Sequence, residues 1–221
     1  MLPLTPDAVV FDLDGLLADT ETRWTVAETR LFARHGLPYG EAEKAIMIGR
    51  SVDSCSLEMA RLFERPGEHE LIATELVDEV MALLAAGVEA LPGAVELVAA
   101  CASRVPVAVA SNSDRSYVDL VLERVGLADY LPVRVTTDDV ERPKPDPEPY
   151  LVACRRLGAR PSHSVAFEDT ELGASAARAA GLTVVAVPSL AGSLIGCDLQ
   201  VTSLADPALV HWSRELAAAS A

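Results

Sequence analysis

The chain has little positive charge. Against 33 Asp and Glu it carries 18 Lys and Arg, a formal net charge of −15, which opposes nonspecific binding to nucleic acid or to an anionic membrane. An anionic substrate must therefore be held by a few local cations. Cysteine is also scarce. Cys55, Cys101, Cys154 and Cys197 are scattered, with no CxxC pair and no histidine at a zinc-ligand spacing, so reduced thiols in the cytoplasm are expected rather than disulfides or a zinc site. No apolar run reaches bilayer-spanning length, and the start MLPLTPDAVV lacks a charged segment leading into a long apolar one. Repeats and low-complexity linkers are missing too, although the Ala-rich tail RELAAASA is expected to fray. A monomer is the starting expectation.

What is present is ample apolar content, 50% of 221 residues, enough for one medium core with a smaller insertion. Short β-rich apolar runs recur at 8–12, 105–111, 133–137, 164–169, 183–188 and 199–204. They are continuous rather than alternating, as suits strands buried on both faces, so an α/β fold with a parallel sheet follows. Helical patterns lie between them at 93–104, 114–126 and 172–181, each with a Gly or Pro start or stop signal. About ninety residues separate the first two strands. Helical periodicity runs from Thr20 to Gly36, again over 69–87, and more briefly at 41–48 and 53–64, so residues 19–90 read as a small helical domain inserted into a core of 1–18 and 91–221.

Polar groups cluster just after the strands: Asp12 and Asp14, then Ser111 and Asn112, then Lys144, then Glu168 and Asp169. The carboxyl edge of an open α/β sheet is where ligands bind. In an extended segment Asp12 and Asp14 share a side, and Glu168 and Asp169 bring as many as four carboxylates into one pocket. Their repulsion calls for a cation, and Mg²⁺, a hard ion that needs few protein carboxylates and keeps water and substrate oxygens in its shell, fits best. Lys144 lies in RPKPDPEP, whose prolines stiffen the loop. The SNS turn at 111–113 precedes a helix whose N–H groups suit anion oxygens. Each element has a plainer reading: a turn for the two aspartates, an N-cap for Ser111 or Ser113, a solvated loop lysine, helix-start acids for Glu168 and Asp169.

Taken in order, these residues resemble the haloacid dehalogenase-like hydrolase superfamily, in its helical-cap branch of sugar phosphatases and β-phosphoglucomutase. FDLDGLLADTE is similar to the first motif, ASNSD to the second, RPKPDPEPY to the third and FEDTELGASAARAAG to the fourth. The resemblance implies a Rossmann-like, doubly wound parallel core with an inserted helical cap. It implies that Asp12 attacks phosphorus and forms an aspartyl-phosphate, and that Asp14 protonates the leaving alcohol and then activates water. It implies Mg²⁺ ligation by Asp12, Asp169, the backbone carbonyl of Asp14 and, directly or through water, Glu168. Ser111, Asn112 through its backbone, and Lys144 would hold the phosphoryl oxygens. Metal and lysine are expected to lower the pKa of Asp12.

An acid at position 14 favours phosphate esters over haloacids or phosphonates, which have no alkoxide to protonate. Mutase members carry a histidine twelve residues after the nucleophile, where this chain has Trp24, and an arginine three residues after a cap-loop glycine, where it has Val52. The resemblance thus implies a phosphatase acting on a small soluble phosphomonoester, probed in the cap by Glu21, Trp24 and Arg50. Trp24 is a candidate to stack on a sugar or to fill the helical core, and Arg50 to contact substrate or solvent. A β-phosphoglucomutase-like mutase is the alternative. A non-enzymatic phospho-acceptor module is a remote one, since that module is shorter and lacks the insertion.

Overall fold

A computed structural model describes residues 2–47, 50–190 and 192–217. Gly49, the glycine of the cap-loop comparison, and the end of the Ala-rich tail lie outside the described residues. The chain divides into two compact units, residues 1–19 with 89–221 and residues 20–88.

The larger unit holds a six-stranded parallel sheet of β1 (Val9–Phe11), β2 (Val107–Ala110), β3 (Val133–Val135), β4 (Val165–Glu168), β5 (Thr183–Ala186) and β6 (Leu199–Gln200) in the order β3-β2-β1-β4-β5-β6. Each strand falls inside one of the continuous apolar runs, and β1, β2 and β4 are buried throughout. β1 pairs with β2 through Val9 and Val107 and with β4 through Val9 and Val165. The sheet therefore reverses its winding at β1, between β2 and β4.

Helices cover both faces. In the larger unit these are α5 (Ala94–Ala102), α6 (Arg115–Arg124), α7 (Glu148–Leu157), α8 (Glu171–Ala179) and α9 (Pro207–Glu215). One face packs Val10, Ala108 and Ala166 against Tyr150, Ala153, Ala174 and Ala177 of α7 and α8. On the other, Phe11 stacks on Phe167 at 5.1 Å, and Phe167 meets Trp212 of α9 at 5.8 Å. The sequence patterns place α5, α6 and α8 but not α7 or α9. Both of those start at prolines, which read as loop until one notes that Pro is favoured in a first helical turn. For α7 the stop signal was present: Gly158 ends it in the left-handed conformation, φ 67°.

The smaller unit is helical: α1 (Glu21–Arg34), α2 (Glu41–Met47), α3 (Val52–Leu62) and α4 (His69–Ala86). Ile72, Leu76, Val80 and Leu84 recur every four residues and form one buried stripe of α4. With Ala27, Leu31 and Phe32 of α1 and Met59 of α3 they make the unit's apolar centre. Phe63 packs edge-on against Phe32 at 4.9 Å and stacks on His35 at 4.1 Å. His35 is the residue that ends α1, and its ring covers Phe63. Glu21 opens α1 and is half-buried; Trp24, one turn on, is half-buried too, and Arg50 is exposed just before α3.

One acid sits in this apolar unit. Glu28 of α1 is buried and accepts a short hydrogen bond from the Tyr39 hydroxyl. Burial pushes its carboxyl up to about 7, against the pull of the Tyr39 bond and Lys44 and with the help of Glu21. The folded state therefore keeps the Glu28 proton where the unfolded chain, near 4.5, has released it. That contribution is complete below pH 4.5 and is lost as pH rises to 7. Thermal melts should show stability falling over that window and then levelling. Glu28→Gln, always neutral, should flatten this part of the profile, and an unchanged profile in the variant would exclude Glu28 as its source.

Candidate active site

The site is built around β1. After Phe11 the Asp12 N–H still donates to the Phe167 carbonyl at 3.0 Å, so Asp12 continues the strand line. The chain then folds back, with the N–H groups of Leu17 and Ala18 donating to the Leu13 carbonyl at 2.9 and 3.2 Å. Gly15 makes that turn possible at φ +73°, and a Cβ there would lie 2.5 Å from Asp169 Oδ2. At this turn the Asp14 carboxylate meets hydroxyls. Its Oδ1 accepts from the Tyr117 hydroxyl at 2.6 Å, and its Oδ2 from the Ser111 and Ser113 hydroxyls at 3.2 and 3.1 Å.

Ser111 follows β2 and is buried. Neither Ser111 nor Ser113 caps α6; Asp114 does, its carboxylate accepting the Tyr117 N–H at 2.9 Å. A carboxylate at the cap leaves both serine hydroxyls to Asp14. The plain reading of those serines as N-caps is thereby corrected.

Lys144 arrives from the loop between β3 and α7 and is no solvated lysine, being only 5% exposed. Its Nζ lies 2.5 Å from Asp12 Oδ1 and 2.6 Å from Glu168 Oε1. Burial alone would push the ammonium down, but Asp12 and Glu168 override it and hold the group charged. Tyr150 donates a short hydrogen bond to the same Glu168 oxygen. Removing Lys144 would leave two buried acids unbalanced, a disruption of about 3–5 kcal/mol.

Asp12, Glu168 and Asp169 are all buried, and one ligand oxygen from each lies within 4.8 Å of the others. Asp14 stands apart through its side chain, so the four carboxylates expected in one pocket are three together and one beside them. Burial pushes Asp12 well above the usual carboxylate range; Lys144 opposes this, while Glu168, Asp169 and Asp14 add to it. That is opposite to the lowering expected with a metal present. The physical reason is plain, since one ammonium cannot balance three buried acids. A second cation among these oxygens would reverse the balance, and a hard divalent ion suits an all-oxygen donor set. The residues therefore fit the Mg²⁺ that the motifs imply.

The structure brings Asp12, Asp14, Ser111, Asn112, Lys144, Glu168 and Asp169 to one region at the carboxyl ends of β1, β2 and β4. Glu21, Trp24 and Arg50 belong to the helical unit and are described with it. Sequence reasoning missed Tyr150, Ser113 as a partner of Asp14, and Tyr117. Tyr150 and Tyr117 are the third residues of α7 and α6, and only the contacts of their hydroxyls single them out. Gly173, on α8, was missed as well. A Cβ at 173 would fall 2.0 Å from Glu168 Oε1 and 2.1 Å from its Cδ, so the carboxylate occupies the space that glycine leaves.

A doubly wound sheet whose switch point carries paired aspartates, a buried lysine and an acidic pair is the arrangement of the haloacid dehalogenase-like hydrolases. The chain belongs to that family, whose model matches residues 6–181. It is similar to validoxylamine A 7′-phosphate phosphatase of Streptomyces hygroscopicus subsp. limoneus, at 34% identity over 206 residues, covering 92% of this chain and 95% of the relative. It is 31% identical over 179 residues to fructose-1-phosphate phosphatase YqaB of Escherichia coli strain K12, covering 81% and 95%. The solved structure of CbbY from Rhodobacter sphaeroides in complex with phosphate matches with a TM-score of 0.80 at 25% identity, covering 94% of this chain and all of that one. The protein is thus an enzyme, a hydrolase with relatives named as phosphatases. Among the described residues no helix is long and apolar enough to cross a membrane.

Gly173→Ala should displace the Glu168 carboxylate and with it Lys144. The expected result is a fall in kcat/KM of about 100-fold with a stability loss of about 1–3 kcal/mol, read by ester hydrolysis and by urea denaturation. Retention of full activity would mean that the Glu168 position is not needed for turnover.

Proposed function

We propose that the protein is a Mg²⁺-dependent phosphatase of a small phosphorylated metabolite, a sugar phosphate, working through an aspartyl-phosphate on Asp12. The observation that carries this reading is the split of the two aspartates into different surroundings, Asp12 beside a buried ammonium and Asp14 beside three hydroxyls. Such a division suits one acid for attack and one for proton transfer.

In the first half of the reaction an Asp12 oxygen forms a bond to phosphorus as the ester P–O bond breaks, and the departing alkoxide takes the proton of Asp14. In the second half Asp14, now a carboxylate, takes a proton from water as the water oxygen attacks phosphorus. The bond to Asp12 breaks, orthophosphate leaves and Asp14 is again protonated. Ser111, the backbone of Asn112 and Lys144 hold the phosphoryl oxygens and keep their charge balanced. Asp12, Asp169, the Asp14 carbonyl and, directly or through water, Glu168 would hold Mg²⁺, which would supply positive charge to the phosphoryl group and to Asp12.

Residues 19–90 form a cap that selects the substrate, with Glu21, Trp24 and Arg50 as its candidate contacts. Two relatives are phosphatases named for phosphate esters, validoxylamine A 7′-phosphate and fructose 1-phosphate, which supports an ester of this general kind. Free thiols at Cys55, Cys101, Cys154 and Cys197 accord with the reducing cytoplasm.

With Mg²⁺ and a panel of sugar and polyol phosphates, the protein should release orthophosphate over many turnovers, and a chelator should abolish release. Asp12→Asn should lose both turnover and phosphoenzyme. Substantial hydrolysis by Asp12→Asn would remove Asp12 as nucleophile. Isomerisation of glucose 1-phosphate without release would indicate a mutase, and a stable phosphoprotein without turnover a switch.

A further inference from the structure

Asn112 enters the proposed mechanism through its backbone, yet its side chain has separate work. Lys144 lies in RPKPDP, where Pro143, Pro145 and Pro147 supply no N–H. Its own backbone groups are buried with it and need partners. Both come from one side chain. The Lys144 N–H donates to Asn112 Oδ1 at 2.9 Å, and the Lys144 carbonyl accepts from Asn112 Nδ2 at 3.0 Å.

The amide thereby closes a two-bond ring on a single residue, as one strand residue does on another. Only one orientation of the amide satisfies both bonds, and only an amide offers a donor and an acceptor on the same planar group. Aspartate lacks the donor, serine has a single oxygen, and glutamine is a methylene too long.

The surrounding loop is anchored elsewhere, at points that leave Lys144 itself untouched. Asp139 binds Arg115 and Arg156, each at 2.6 Å, and accepts the Thr136 N–H and hydroxyl at 2.9 and 3.0 Å. Glu148 accepts the N–H groups of Glu141 and Arg142 at 3.2 and 3.1 Å. Between these anchors, among the described residues, the Asn112 amide alone holds the Lys144 backbone. The clamp joins the loop after β2, which carries Ser111, to the loop after β3, which carries the ammonium.

We infer that Asn112 is a positioning residue whose side-chain amide clamps the Lys144 backbone and so sets the place from which the ammonium meets Asp12 and the phosphoryl oxygens. The inference rests on the phosphatase reading, and its test separates the two. Asn112→Ala and Asn112→Gln both keep the backbone N–H at 112 and add no charge, so a purely backbone role leaves kcat/KM within about twofold of the wild type. A clamp lowers kcat/KM by roughly 10- to 100-fold in both variants and weakens competitive inhibition by inorganic phosphate.

Coupling is the decisive measurement. With inorganic phosphate as probe in Mg²⁺, Asn112→Ala should weaken binding in the wild-type background and have no further effect in a Lys144→Met background, because the group it positions is gone. Independent effects that multiply would overturn the clamp, as would full activity in Asn112→Ala. If Asn112→Ala melts well below the wild type, Asn112→Gln, which keeps the amide but carries it a methylene too far, provides the same comparison. Wild-type protein that neither hydrolyses esters nor binds inorganic phosphate would overturn the phosphatase reading and the clamp together. Active wild type with an equally active Asn112→Ala would overturn the clamp alone.

Discussion

The ammonium of Lys144, closed between Asp12 and Glu168 at 2.5 and 2.6 Å with almost no access to water, is the interaction on which the larger unit depends. Without it two acids would face each other in a poorly screened interior; without them a buried lysine would lose its proton. Each neighbour serves that balance. Tyr150 donates to Glu168, Gly173 makes room for the Glu168 carboxylate, and Asn112 pairs the Lys144 backbone.

The balance is short of positive charge, because one ammonium faces three clustered buried acids. Asp12 stays well above the ordinary carboxylate range because burial and the other acids outweigh one lysine. A divalent cation among these oxygens would offset that excess of negative charge. Asp14, in the turn at Gly15, accepts from the hydroxyls of Ser111, Ser113 and Tyr117. The tight turn that begins between the two aspartates gives one short motif two different surroundings, which the proposed function uses for two roles.

The helical unit follows a simpler logic. Its centre is the four-residue stripe of α4 set against α1 and α3, and its one buried acid, Glu28, is kept protonated toward neutrality with Tyr39. Substrate choice in the proposed function falls to this unit, whose candidate contacts, Glu21, Trp24 and Arg50, lie outside the four motifs of the core.

Much was legible from residues alone. Continuous apolar runs mark β1, β2 and β4 because a strand covered on both faces has no place for alternation, and the acids and the serine stand where those runs end, with the lysine in the loop after β3. α7 and α9 were hidden because proline reads as a breaker unless it occupies a first turn. The strand order, which sets β1 between β2 and β4, came only with the tertiary structure, since pairing depends on how distant segments pack and not on any local pattern. The same holds for Tyr117, Tyr150, Gly173 and the side chain of Asn112. Sequence determined which groups this protein has for phosphate chemistry, because composition and motif order are local properties. Tertiary structure decided which of them touch, and hence that Asp14 turns to hydroxyls while Asp12 meets the lysine, because hydrogen bonds and buried charge are settled by distances between residues far apart in the chain.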